Sequence, residues 1–304
     1  MSSLQSQPQR DELPHKWGDS QREEPPRRAG GASGPSVRPS LRAAGREVRP
    51  RGALRIVEYQ LYVGRRIWRS MVIVGVGTPL AYVLALGVGL GTIVDANGSR
   101  LGVPYLVFVA PAFLTAAALQ VAAADASFPL MAGFKWVKTF HGMVATPLTP
   151  AQVADGQLLW IGIRLLVNSS IYLAIMACFG GTQRWWVLLA IPAATLTGLA
   201  FAANVAALAA VLENEGNGFN MLFRFIVTPM FLFSGTFYPI SELPPWGQWL
   251  AYVSPLWHGT ELARGSAVGG LSAGSAVGHV AYLLLWLVVG VALARWRFRV
   301  RLTK

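Results

Sequence analysis

Charge is scarce in this chain. Only 13% of its 304 residues are Asp, Glu, Lys or Arg, against 53% hydrophobic, whereas soluble domains carry about 25% charged residues. That deficit excludes an ordinary solvated surface and points to an integral membrane protein. Cysteine is almost absent: the lone Cys178 excludes an intramolecular disulfide and a cysteine-based metal site. There is no GxxxxGK[ST], so the chain lacks the backbone cradle and lysine that hold nucleotide phosphates. There is likewise no HExxH. His15 lies near the N-terminus, and His141, His258 and His279 are scattered, so they read as interfacial or loop residues rather than metal ligands at matched spacing. Ionisable groups inside apolar runs are few. Arg164 can snorkel to an interface along its stem, Asp125 can face water at the edge of its run, and no succession of carboxylates forms a proton path.

What charge there is has a pattern. The net +12 would suggest nucleic acid if it formed a patch on a soluble fold. Instead the basic residues sit in the first 52 residues or beside apolar runs, which argues for membrane topology and against a nucleic-acid partner. Residues 1–52 mix both signs of charge with Pro, Gly and Ser and almost no aliphatic side chains, the composition of a disordered tail. They hold no apolar segment of the kind a secretory signal needs.

The remainder, 53–304, reads as one all-α membrane domain. Six runs approach the roughly 20 apolar residues a transmembrane helix requires: 71–93, 104–124, 158–179, 186–211, 222–239 and 278–294. Placing both termini in the cytoplasm puts Arg65, Arg66, Arg69, Lys135, Lys138, Arg224 and the Arg-rich C-terminus inside, and leaves Arg100, Arg184 and Arg264 outside. Before the first run, residues 54–70 set Leu54, Val57, Leu61 and Arg65 along one stripe. This predicts an N-terminal interfacial helix with Arg65, Arg66, Trp68 and Arg69 at lipid phosphates; the alternative is a plain extension of the first span. Polar residues at membrane depth, among them Asn168, Ser169, Thr195 and Asn204, either bond across helices or line a translocation path.

Two connecting segments carry motifs. In the loop 125–157, Thr146 and Pro147 predict a turn, and Thr149 before Pro150 with Gln152 beyond predicts a helix start. A short helix held at the inner surface there could push on a cytosolic partner. Between the last two spans, a helix after Pro244 and Pro245 would put Trp246, Trp249, Leu250 and Val253 on one face, with Pro255 breaking it.

The stretch TPLTPAQVADG (146–156), followed by an apolar span, resembles a pattern of the permeases of ABC type 2 exporters, which include daunorubicin-type drug exporters and nodulation lipo-oligosaccharide exporters. FLFSGTFYPISELPPWGQWLAYVSPLWHGTELARG (231–265) is similar to a second pattern of the same family, with Gly235, Pro239, Leu243, Pro244, Trp246, Pro255, His258 and Arg264 on it. Gln157 stands where the family usually has Lys or Arg, and the acidic residue after the late His is displaced to Glu261. The resemblance implies six spans with a re-entrant helical hairpin between the fifth and sixth. It implies an ATPase-coupling loop at Thr146, Pro147, Leu148, Thr149, Pro150, Asp155 and Gly156, and an outer gate at Gly235, Pro239, Leu243, Pro244, Trp246, Trp249, Pro255 and His258. Its partners would be a separate P-loop ATPase, a second permease and membrane lipid, in a bacterial plasma membrane. The chain itself would be no enzyme and bind no cofactor, ATP and Mg acting through the partner, and the cargo would be amphiphilic or lipid-like. The rival reading is a membrane-embedded enzyme acting on lipid-linked substrates, which would need acidic or His residues converging at one interface.

Overall fold

The computed structural model describes residues 51–96, 102–182, 184–212 and 217–303, so the expected disordered tail lies outside the described residues. The described chain is helical throughout, with no strand in it. α1 (Gly52–Tyr82) passes through a π-type segment (Val83–Leu90) into α2 (Gly91–Ala96). Then follow α3 (Tyr105–Ala126), α4 (Phe128–Phe134), α5 (Thr139–Ala145) and α6 (Pro150–Cys178). A short 3-10 turn leads into α7 (Ala190–Ala209). α8 (Asn217–Leu222) and α9 (Thr228–Phe233) are joined by π turns, and α10 (Pro245–Val253), α11 (Pro255–Val268) and α12 (Ala273–Leu302) complete the chain.

Among the described residues, four helical stretches are long and apolar enough to cross a membrane: Tyr105–Phe134, Pro150–Cys178, Trp185–Ala209 and Ala273–Leu302. They match four of the six expected runs. The other two, 71–93 and 222–239, are not single regular helices. The first is the end of α1 plus the π-type segment, whose Gly87 and Gly89 weaken regular helix. At Gly87 a Cβ would collide with the Leu106 side chain, so the irregular stretch lies tightly on α3. The second is interrupted before Pro229, which has no N–H to give the ladder. Thr228 Oγ1 instead donates to the Phe223 carbonyl at 2.9 Å.

Of the two readings of residues 54–70, an interfacial helix or an extension of the first span, the described chain has a continuous helix. Residues 54–70 are the first half of α1, unbroken into the following apolar run, because RRIWRSMV contains no residue that stops a helix.

α3 lies at the centre, buried along nearly its whole length, and packs on α6, α7 and α11, while α12 covers α7. Small residues make these approaches close, as expected where helices pack without water to drive them. Gly198 of α7 comes within 3.0 Å, measured from an ideal Cβ, of the Ala118 carbonyl of α3, and Gly290 of α12 equally near the Asn204 backbone nitrogen.

Candidate functional site

The motif residues fall at opposite ends of this bundle. One end, rich in Arg, carries the start of α1, α4, α5, the start of α6 and the end of α12. The other carries α10, α11 and an aromatic cluster.

At the basic end, Thr146 Oγ1 donates to the Met143 carbonyl at 2.6 Å, and the Leu148 N–H donates to the Thr146 carbonyl at 2.7 Å, forming the expected turn around Pro147. Thr149 then caps α6. Its Oγ1 accepts from the Gln152 N–H at 3.2 Å, Gln152 Oε1 accepts from the Thr149 N–H at 3.0 Å, and Pro150 occupies the first turn. The helix so started is not short: it runs 29 residues to Cys178, roughly 43 Å at about 1.5 Å per residue. The short helix is α5, before the turn rather than after it.

α1 rests on this start of α6. Leu54 and Leu61 are 53% and 47% exposed, while Ile56 and Val57 are buried. Glycines set the contact: a Cβ on Gly156 would come 2.6 Å from Ile56 Cβ, and one on Gly52 2.6 Å from the Gln152 side chain. Gln157, at the departure from the family pattern, accepts through Oε1 from Gln60 Nε2 at 2.8 Å. Arg65, Arg66 and Arg69 are exposed on α1; the side chain of Trp68 lies outside the described residues.

Two ion pairs and one arginine–carbonyl link that local sequence reading missed complete this end. Asp155 accepts from Arg295 Nε and a terminal nitrogen at 2.7 and 3.0 Å, tying α6 to α12. Asp125 pairs with Arg164 at 2.7 Å, so neither is the solitary interfacial charge expected. Opposite charges at matching depth in two apolar runs were the available signal. Arg301 donates to the carbonyls of Ala209 and Leu212 at 2.8 and 3.0 Å, closing the end of α7, and its guanidinium lies 4.6 Å from the Phe134 ring centre.

At the aromatic end, Gly235 turns the chain with φ 71°, where a side chain would also press on Ile240. Ser234 and Ser254 hydroxyls bond at 3.0 Å, drawing the end of α9 to the junction of α10 and α11. Pro239 and Leu243 flank a 3-10 turn, Pro244 precedes α10, and Pro255 opens α11, capped by Ser254. The face expected on α10 exists: Trp246, Trp249, Leu250 and Val253 are all exposed, with Gly247 and Ala251 buried opposite. Arg264 fastens the region. It donates to the Gly235 carbonyl at 2.6 Å and to Glu261 at 2.9 Å, and lies 4.0 Å over the Phe108 ring.

The histidines are not all scattered. His258 Nδ1 and His279 Nδ1 meet at 2.8 Å, joining α11 to α12. His258 Nε2 is 3.0 Å from the Tyr252 carbonyl, which can only accept, so this nitrogen carries hydrogen. Burial lowers the His258 pKa to about 4, so the ring is neutral at ordinary pH, and its Nδ1 accepts a hydrogen bond from His279. Tyr282 stacks on His258 at 3.9 Å and donates to the Val253 carbonyl at 2.5 Å. No group of three or more His, Cys, Asp or Glu suited to a metal occurs among the described residues.

Of the polar residues at membrane depth, Asn204 bridges helices, donating to the Ala200 and Trp286 carbonyls at 2.9 and 3.1 Å. Ser169 is buried and Thr195 half-buried, each with a hydroxyl that has no partner in the structure, and Asn168 is half-buried.

An all-helical membrane chain with a capped loop at its basic end and a proline- and tryptophan-rich pair of helices at the other defines a permease class. The ABC-2 type transporter family matches residues 56–268, and the chain belongs to that family. It is thus a multi-pass membrane permease, a component of a transporter rather than a catalyst. It is 28% identical over 227 residues to Nodulation protein J of Rhizobium leguminosarum bv. viciae, covering 74% of this chain and 85% of that one. It is 29% identical over 211 residues to Nodulation protein J of Sinorhizobium fredii (69% and 79%), and 27% over 240 residues to that of Bradyrhizobium diazoefficiens (79% and 90%). No solved structure matches the chain.

Proposed function

We propose that this chain is the permease subunit of an ATP-driven exporter in a bacterial plasma membrane, moving an amphiphilic or lipid-like cargo outward. The basic end is cytoplasmic by the distribution of Lys and Arg. The stretches 71–93 and 222–239 supply the two further spans of a six-span fold. A separate P-loop ATPase docks on α5, the 146–149 turn and the exposed arginines of α1, and a second permease completes the path. ATP and Mg act through that partner. α10 and α11 form a re-entrant hairpin that gates the outer exit, with the tryptophan face of α10 in the lipid interface.

The observation that carries this reading is the capped junction at Thr149. The turn feeds without a break into a helix longer than the ~30 Å hydrocarbon core, so displacement of the turn is transmitted along α6. The test is a mild-detergent pulldown of the chain from its native membrane with mass spectrometry. A stoichiometric P-loop ATPase is the expected companion; an intact, folded chain without one would overturn the reading.

A further inference from the structure

The chain enters α7 through the 3-10 turn Trp185–Leu189, and Arg184 stands just before it, at the aromatic end. Arg264 at this end is buried and held by Glu261. Arg184 is exposed, and no carboxylate pairs with it among the described residues. Its side chain reaches the junction of α11 and α12, where one terminal nitrogen lies 2.7 Å from the position a Cβ on Gly269 would take. Trp185 and Trp186 follow, both exposed, with their rings stacked at 3.8 Å.

Each tryptophan borders an apolar groove. The first, of about 560 Å³, has Leu173, Ala174 and Ala177 of α6 on one side and Val187, Leu188 and Ile191 on the other, with Arg184 and Thr182 in its lining. The second, of about 490 Å³, runs from Trp186 between α7, α11 and α12, past Leu189, Leu196, Leu262 and Val280. Both fall within the roughly 300–1,000 Å³ of ligand pockets. Neither has an acidic residue in its lining.

The occupant's chemistry follows from this pairing of one cation with two apolar channels. A small anion would use Arg184 and leave the grooves empty, and a single hydrocarbon chain would use a groove and leave the guanidinium unmatched. A phosphate joined to two acyl chains uses all three, because a guanidinium forks onto phosphate oxygens and tryptophan rings lie at the level of lipid head groups. A head group that also carries an ammonium would bring a second positive charge to Arg184 with no carboxylate to receive it, so a net negative head is favoured.

We infer that Arg184 and the grooves beside the Trp185–Trp186 stack hold one anionic, two-chain phospholipid of the surrounding bilayer, its phosphate on the guanidinium and a chain in each groove. The lipid is a resident of the bundle's flank, joining α6 and α7 to the α11–α12 junction, and is not cargo. The inference needs only a chain that spans a membrane, so it stands apart from the exporter reading.

The test uses the full chain in phosphatidylcholine nanodiscs with a trace of phosphatidylglycerol carrying a photoactivatable group in its acyl chain, mapped by peptide mass spectrometry, and a matched phosphatidylcholine probe in parallel. The phosphatidylglycerol probe is expected to label peptides containing residues 173–177 and 187–196, and excess unlabelled phosphatidylglycerol to suppress that labelling. Arg184→Gln should reduce it by about fivefold, the gain one basic side chain gives against an anionic lipid, while labelling near Arg65 and Arg66 at the opposite end stays unchanged. Ala174→Trp gives an independent reduction: Ala174 is exposed in the first groove, so the larger ring fills the groove and leaves the cation and the core in place. Equal labelling of these peptides by the phosphatidylcholine probe, or labelling that neither variant changes, would overturn the assignment. Absence of labelling there in a chain that cross-links to itself through α6 or α7 would also overturn it, and would give the grooves to a second copy.

Discussion

At the basic end, helices distant in sequence are joined by charge: Asp155 to Arg295, Asp125 to Arg164, and Arg301 to the carbonyls ending α7. At the aromatic end the links are mostly rings and neutral hydrogen bonds, namely Tyr282 on His258, His258 to His279 and Ser234 to Ser254, with Arg264 a cation among them. The difference is mechanical. Arg295 is 52% exposed, and ion pairs reached by water are individually weak, about 0–1 kcal/mol, so their partners exchange cheaply. Arg264 is 12% exposed, and a buried charge resists separation from its partners. On the exporter reading proposed above, the Asp155–Arg295 link at the basic end would yield to a displacement and the Arg264 contacts at the aromatic end would hold until helix movement reached them.

Four substitutions test that contrast. Arg264→Ala should have the largest effect, about 3–5 kcal/mol of stability, because it strands Glu261 and the Gly235 carbonyl. Thermal unfolding in detergent measures it, and a loss below about 1 kcal/mol would show that the rings alone hold this end. Gly259→Ala comes next. The new methyl meets Thr197 and Thr115 where α11 crosses α7 and α3, and overpacking of this kind costs about 1–3 kcal/mol, read as a lower midpoint in the same assay. Thr149→Ala removes the α6 cap and should cost about 1 kcal/mol, with faster hydrogen exchange confined to residues 151–153. Asp155→Asn should shift stability least, by less than about 1 kcal/mol, and the difference from the parent chain should shrink further in high salt. A large, salt-insensitive loss there would erase the distinction between the two ends.

Legibility in the sequence follows the same divide between local and distant chemistry. The start of α6 could be read because a cap needs only Thr149, Pro150 and Gln152. The α10 face could be read because Trp246, Trp249, Leu250 and Val253 repeat at helical spacing and all turn outward. The contact of α1 with α6 could not be read, because it rests on Gly52 and Gly156, which let the helices approach at Ile56 and leave Leu54 and Leu61 exposed. Two of the six apolar runs are interrupted by π-type turns that hydropathy does not register. The pairs Asp125–Arg164 and His258–His279 span 39 and 21 residues, beyond any local pattern.

The central claim, that the turn before α6 takes up the work of a separate ATPase, is tested most directly by ATP turnover of the co-purified complex in proteoliposomes. Pro147→Ala with Pro150→Ala should leave the ATPase bound and hydrolysing while transport per ATP collapses. Unchanged transport per ATP would contradict the claim.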